Sequence, residues 1–329
     1  MPEPFFQVFA NGSDITERLG SIKVSLTITD GVGMDADTLL LSIDDKDGQI
    51  APPETGVELQ VIAGYVDWKV DFGTYTVDQV SLRGWPQVID ISAQAAKAKS
   101  AVKERRVESY EPPDFSTYGD IFEIVAGRNG LQLAISAEIA GKSIEFEAQA
   151  EEDDLGFLTR ISGKLDAHVS IKSNRLVVVK RGKGESASGQ KLPDIVIERG
   201  VNILDYVVNH KDKAKYSQVK TTYFDRETNK REECVAPAGD EGPDLLVREP
   251  YQSRQEAQDA ADAKGKEVKR AEADATFTID GNPTARAEAH AIVRNVRSLV
   301  DGRWRATQVT HNWTASEAYK TTVQCELPE

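Results

Sequence analysis

Through the first hundred residues apolar and polar positions alternate with a period of two. Ile22, Val24, Leu26 and Ile28 are interleaved with Lys23, Ser25, Thr27 and Thr29, the pattern of a strand with one buried face. Leu39, Leu41 and Ile43 repeat it ahead of the turn-forming run Asp44-Asp45-Lys46-Asp47-Gly48. Val57, Leu59, Val61 and Ala63 make the next strand, ending at Gly64. Val70 and Phe72, then Tyr75, Val77 and Val80, continue the series with Gly73 and Gly84 as breaks, and Val88, Ile89 and Ile91 close it. Short strands separated by Gly and Asp turns predict a β-barrel or sandwich over residues 1–100.

From 101 to 185 the period changes. Lys103-Glu104-Arg105-Arg106 and Pro112-Pro113 predict a linker. Ile121, Ile124 and Val125 then share one face of a short helix that starts near Ser116-Thr117 and stops at Gly127. Leu131, Leu133 and Ile135 alternate as a strand, as do Ile144, Phe146 and Ala148. Asp153 or Asp154 caps a second helix with Leu155, Leu158 and Ile161 at three-residue spacing. Val169 and Ile171 lead through Ser173-Asn174 to Leu176 and Val178, a short hairpin. Together these segments predict a small α+β module.

Residues 186–329 return mainly to strands. Gly182 to Gly189 is a flexible loop by composition. Val196-Ile197, Val207-Val208 and Val219 to Tyr223 read as strands, Asp225 to Glu233 as a hydrophilic loop, and Pro237 to Pro243 as another mobile stretch. Ser253 followed by Glu256 is a capping box that opens a surface helix over 253–273. Its inward stripe, Ala257, Ala260 or Ala261, Lys264 and Val268, holds few large groups, so it fits a helix lying on a surface, against a partner or in solvent. The chain closes on a hairpin, Trp304 to Trp313 and then Tyr319, Thr321, Val323, Cys325 and Leu327 on one face. The fold class is therefore mainly β, with one β block at each end, an α+β module between them and one helical insertion.

Composition narrows the function. With 40% hydrophobic residues in 329, the chain has enough to bury a core. Its 54 acids against 40 bases, a formal charge of -14, argue against tight nucleic-acid binding, which needs clustered Lys and Arg on phosphates. The same charge fits plain solubility, or a surface past which DNA slides without sticking. Two cysteines, Cys234 and Cys325, form no disulfide framework and predict reduced thiols. The N-terminal Met1-Pro2-Glu3-Pro4-Phe5-Phe6 has no signal-peptide pattern, which predicts use without secretion. No segment nears the ~20 apolar residues of a membrane span, so no membrane insertion is expected.

Motifs for chemistry are weak. Gly141-Lys142-Ser143 looks like the end of a phosphate-binding loop, but Ser136 stands where the motif needs its first glycine, and a strand pattern follows instead of a helix. Gly31-Val32-Gly33 lacks the third glycine of a dinucleotide site. His168, His210, His290 and His311 show no zinc-helix spacing and read as surface or packing histidines. Glu151-Glu152-Asp153-Asp154 could offer a general acid and base, yet adjacent acids at a helix start are explained by capping and the helix dipole. Lys103 to Arg106 is the one compact basic cluster and fits a solvated linker. No catalytic, metal or cofactor-binding residue and no cofactor is therefore assigned.

The order of elements in the first hundred residues resembles the late control gene D family, the tail hub or baseplate hub proteins of contractile-tailed phages. The residues that carry the likeness are Phe5 to Phe9, the turn Asn11-Gly12-Ser13 with Asp14-Ile15-Thr16, and Asp37-Thr38-Leu39-Leu40-Leu41 closing on Asp44-Asp45. They continue with Pro52-Pro53, Gly56, Leu59, Val61 and Gly64-Tyr65, and end with Gly73-Thr74-Tyr75-Thr76-Val77-Asp78. Trp304, Val309 and His311 extend the likeness more loosely to the C-terminal part. The resemblance implies two tail-tube-like β-barrel domains, at 1–100 and 186–329, with the module at 101–185. It further implies a homotrimer whose six barrels adapt a sixfold tail tube to a threefold spike, a role that needs no chemistry. The partners it implies are the tail tube protein, the central spike protein and the tape-measure protein, with DNA passing through the lumen unbound. The location it implies is the virion tail baseplate, after assembly in the host cytoplasm. Two other classes stand beside it, a tail-associated cell-wall hydrolase with its site in the middle module, and a module that binds cell-wall glycan. The latter needs exposed aromatics, whereas Tyr118, Phe122, Phe146 and Phe157 mostly occupy core positions of the pattern.

Overall fold

In the computed structural model, which describes residues 2–16, 24–33, 37–95, 104–172, 175–211, 216–239, 241–314 and 317–328, the period-two segments pair into antiparallel ladders. The N-terminal block contains β1 (Pro4–Ala10), β2 (Ser13–Asp14), β3 (Val24–Gly31), β4 (Thr38–Asp44), β5 (Glu58–Tyr65), β6 (Trp68–Arg83) and β7 (Val88–Gln94). Register aligns Leu26 with Leu41 and Leu41 with Ile91, so apolar residues of neighbouring strands form rows across one face. Ile22, Lys103, Ser173 and Asn174 lie outside the described residues.

The module contains β8 (Arg106–Tyr110), α1 (Tyr118–Arg128), β9 (Gln132–Ile135), α2 (Ala137–Ala140), β10 (Glu147–Glu152), α3 (Asp154–Lys164), β11 (Ala167–Lys172) and β12 (Arg175–Lys180). Helix α1 opens with a reciprocal cap in which the Asp120 amide donates to Thr117 Oγ1 and the Thr117 amide donates to Asp120 Oδ2. Ile121, Phe122 and Val125 of α1 meet Phe157, Leu158 and Ile161 of α3 over the β9-β12-β11 sheet, a core separate from the other two.

The remaining elements are β13 (Ile195–Glu198), β14 (Ile203–His210), β15 (Gln218–Asp225), β16 (Lys230–Pro237), β17 (Leu245–Tyr251), α4 (Arg254–Arg270), β18 (Ala273–Asp280), β19 (His290–Arg294), β20 (Gly302–Thr314) and β21 (Glu317–Glu326). The terminal hairpin joins the two ends of the chain. Through Trp304, Val309, Val323 and Cys325 it fills the C-terminal core, while Trp313 and Tyr319 enter the N-terminal core. Trp313 stacks on Tyr319 at 4.2 Å between ring centroids, and its Nε1 donates to Gly64 O at 3.3 Å. Because β20 also pairs with β3, both blocks share one sheet of thirteen strands. Strands take 52% of the chain and helices 15%, so the protein is mainly β, as the alternation implies.

Several local expectations are corrected. Gly73 does not break a strand; it lies inside the sixteen-residue β6, at φ 90° beside a bulge. Ile144 to Phe146 precede their strand, which begins at Glu147. Part of the linker around Arg106 is strand β8. The loop expected over Asp225 to Glu233 is mostly hairpin: β16 buries only Cys234 and Ala236 on one face, and its charged first half hides the alternation. Gly182 to Gly189 closes as a bridged turn with Ser186 N donating to Gln190 O. The helix expected to reach Ala273 stops at Arg270, and Ala273 opens β18. That helix is not solvated: Ala257, Ala260, Ala261 and Ala263 are buried, and it packs on β15 and β16, with Lys264 and Val268 only half buried. Small side chains there serve close approach, since a Cβ on Gly265 would lie 2.5 Å from Pro237 O.

Candidate assembly surfaces

The three cores are apolar, but the joints between module, blocks and α4 are made of charge. At the first joint Lys172, at the end of β11, binds Asp30 of β3 and lies 3.5 Å from Asp37. Asp30 Oδ2 also accepts from Ala287 N at 3.0 Å, so one carboxylate touches all three segments. Burial pushes the Asp37 carboxyl up to about 7, with Lys172 pulling it down and Asp30 adding to the rise. Burial works against Asp30 too, but Lys172 prevails and holds it below the ordinary value.

At the second joint Arg305 of β20 donates to Glu288 at 2.9 Å and to Glu326 at 2.9 Å. Arg270, at the end of α4, donates to Asp166 of the module at 2.6 Å and lies 3.5 Å from Glu326. His168 Nε2 lies 3.1 Å from Glu288 Oε1. Burial, with Arg181, Arg305 and Arg270 nearby, lowers this imidazole to about 2, so it stays neutral. At the third joint Lys164 donates at 2.7 Å both to Glu147 of the module and to Glu256 of α4.

Most residues singled out from sequence have structural roles, at these joints or elsewhere. Lys142 pairs with Asp259 of α4, and Ser143 bridges to Thr117, so Gly141-Lys142-Ser143 is a turn and no phosphate cradle. Asp153 caps α3 by accepting from Gly156 N at 2.7 Å. Asp154 is buried against Arg128 and Asn129, and Glu152 pairs with Arg160 at 2.7 Å. The four adjacent acids therefore do not converge on one cleft. His311 accepts from Tyr319 Oη at Nδ1 (2.7 Å) and donates from Nε2 to Ala285 O (3.2 Å); burial and Arg286 lower it to about 3. His290 Nε2 meets Gly182 O at 2.8 Å and His210 Nε2 meets Leu299 O at 3.3 Å. Both thiols are buried, which raises their pKa. Tyr118, Phe122 and Phe157 are buried and offer no stacking platform. Among the described residues no group of three or more His, Cys, Asp or Glu could hold a metal, and no helix is long and apolar enough to cross a membrane.

The surfaces left open are sheet edges. From β14 the ladder runs through β18, β21, β20, β3, β4 and β7 to β6, every step antiparallel. β14 is outermost and exposed on both faces, with Leu204, Tyr206 and Val207 in solvent. At the other end β6 pairs with β5 only up to Thr76, so the edge of Asp78–Arg83 is open and Leu82 stands 68% exposed. These edges are not among the features singled out from sequence; β14 in particular shows no buried and exposed alternation.

No family model matches the chain. It is 35% identical over 200 residues to the "Probable baseplate hub protein" of Escherichia phage P2, a match spanning 60% of this chain and 50% of that one. It is 27% identical over 350 residues to the protein of the same description from Escherichia phage 186, covering 94% of this chain and 89% of that one. The chain thus matches half the length of the first relative and most of the second. Among solved structures, the 43 kDa tail protein of prophage MuSo2 from Shewanella oneidensis superposes with a TM-score of 0.71 at 12% identity, over 99% of both chains.

Proposed function

We propose, from the premise that this chain belongs with the baseplate hub proteins of phages P2 and 186, that it is a structural hub whose three copies close into a ring between tail tube and spike. The observation that carries the ring is the pair of open edges on one ladder. Eight strands, all antiparallel, leave the two edges running in opposite directions, so β14 of one copy meets the distal half of β6 of the next in antiparallel sense. Head-to-tail pairing of this kind uses both edges of every copy and closes without leaving one free. The hub binds the tube above, the spike below and the tape-measure protein within, and it works in the virion baseplate after assembly in the host cytoplasm. DNA passes through the ring without specific binding, a role suited to a chain of formal charge -14. The hub needs no catalytic residue: the polar clusters described above sit at internal joints, where each cation is shared between acids.

Light scattering on the chain mixed with its spike protein tests this. Three copies, three times 36.1 kDa, are expected in the complex. Val207→Lys and Leu82→Lys, each at an exposed edge position, should each abolish the trimer while leaving a folded monomer. A complex with another copy number, or a trimer indifferent to both substitutions, refutes the edge pairing.

A further inference from the structure

The solvent face of α1 carries Asp120, Glu123, Ile124 and Gly127 at helical spacing. Across from it stand Leu133 and Ile135 of β9, half buried, and between them lies an open groove of about 760 Å3. Its floor is apolar, and Ile124 is 46% exposed within it. Its rim is acidic: Asp114, Asp120 and Glu123 are all exposed. Arg128, the cation at this end of α1, is engaged by Asp154 and by Glu108 at 2.5 Å, and does not offset the rim.

The groove also borders an unfinished sheet. β9 is the outer strand of its sheet and pairs in parallel with β12 alone. Ser136 N donates to Val178 O on the β12 side. Successive residues of a strand send their backbone groups to opposite sides, so Leu133 and Ile135 direct N–H and C=O towards the open edge. Among the described residues no backbone partner takes up those groups. An apolar floor, an acidic rim and a free row of backbone donors and acceptors select an extended peptide with basic side chains. A glycan fits poorly, because Phe115, the aromatic residue at the groove, packs edge-on against Tyr110 at 5.0 Å.

We propose that this groove docks an extended, lysine- or arginine-bearing segment of a partner protein. The segment adds as a strand to the open edge of β9 and lowers an aliphatic side chain between Ile124 and Ile135, over Gly127. A Cβ built on Gly127 meets nothing within 4 Å, so a larger side chain there fills the groove without displacing the helix.

The probe is a capped, fluorescent octapeptide alternating lysine with valine, titrated by anisotropy with the full-length chain. Saturable binding is expected, weaker by about tenfold or more in Gly127→Leu, where the anchor has no space. Glu123→Lys should weaken it by about threefold to tenfold and flatten its salt dependence. A control peptide alternating lysine with serine should bind far more weakly. Unchanged far-ultraviolet circular dichroism of both variants keeps the comparison on the groove. Absence of saturable binding overturns the proposal, as does a Gly127→Leu affinity within twofold of the parent or equal binding of the serine control. Self-association that disappears in Gly127→Leu also overturns it, because the occupant is then a second copy of the chain.

Discussion

Replacing Asp37 by asparagine removes one ionisable proton from the joint at Lys172 and nearly nothing else. The amide keeps an acceptor for Gly31 N, which lies 3.4 Å from Asp37 Oδ1. In the folded chain burial holds the Asp37 carboxyl at about 7, against an ordinary value of 3.8. A carboxyl raised on folding binds more protons in the folded state throughout the window between those values. The contribution of Asp37 to stability is therefore fully present below about 4 and is lost as pH rises to about 7. The two pH units from 5 to 7 carry about 1.4 kcal/mol each, or about 3 kcal/mol in all. Asparagine has no such slope. The expected result is a stability difference, Asp37→Asn minus parent, that grows in favour of the variant by about 3 kcal/mol from pH 5 to pH 8. Urea unfolding at four pH values, followed by tryptophan fluorescence, reads this difference, and titrating groups remote from Asp37 cancel in the subtraction. Two stability profiles that run parallel across the range refute the reasoning, and with it the view that Lys172 is shared by two carboxylates of which one is held neutral.

Trp313→Ala should cost about 3–5 kcal/mol, because the indole is buried, stacked on Tyr319 and bonded to Gly64 O; loss of near-ultraviolet circular dichroism at a lowered urea midpoint checks it. Gly265→Ala should destabilise by more than about 1 kcal/mol even though alanine favours a helix by about that amount, because its Cβ would fall 2.5 Å from Pro237 O; faster amide exchange in β15 and β16 is the signature, and a stabilised variant would contradict the contact.

Much of this fold is legible in the sequence because each strand with one wet face prints its own alternation. Val24 to Ile28 and Leu39 to Ile43 show it without interruption, and their register follows from matching the apolar faces. Legibility ends where the buried groups are few and small. Strand β16 hides behind Lys230, Arg231, Glu232 and Glu233, and α4 presents alanines where a periodic stripe of large residues would have announced a packed helix. The joints were not readable at all. Asp30 with Asp37, Lys172 and Ala287 come from three distant points of the chain, and nothing in a run of charges distinguishes a buried pair from a solvated one. The acids at 151–154 illustrate the converse: they look like a candidate acid–base pair in sequence, and the fold spends three of them separately, Asp153 as a cap, Asp154 as a buried Arg128 partner and Glu152 as an Arg160 partner.

The division of labour between cores and joints bears on how the chain holds its shape. Apolar contacts are tolerant of small slips, since one methyl group replaces another at little cost. A buried ion pair is not: separating Lys172 from Asp30, or Arg270 from Asp166, leaves a charge without its partner in a poorly hydrated site, at about 3–5 kcal/mol for each pair broken. Joints of this kind add little to overall stability compared with an apolar replacement, but they fix which face of the module meets which block. Being buried, they are weakly screened by salt. They pair acid with base, while exposed acids such as Asp114, Asp120 and Glu123 line the rim beside α1. Open sheet edges and buried charged joints are thus separate features of the chain. Substitution of the exposed Val207 or Leu82 acts on the first, while substitution of Lys172 acts on the second.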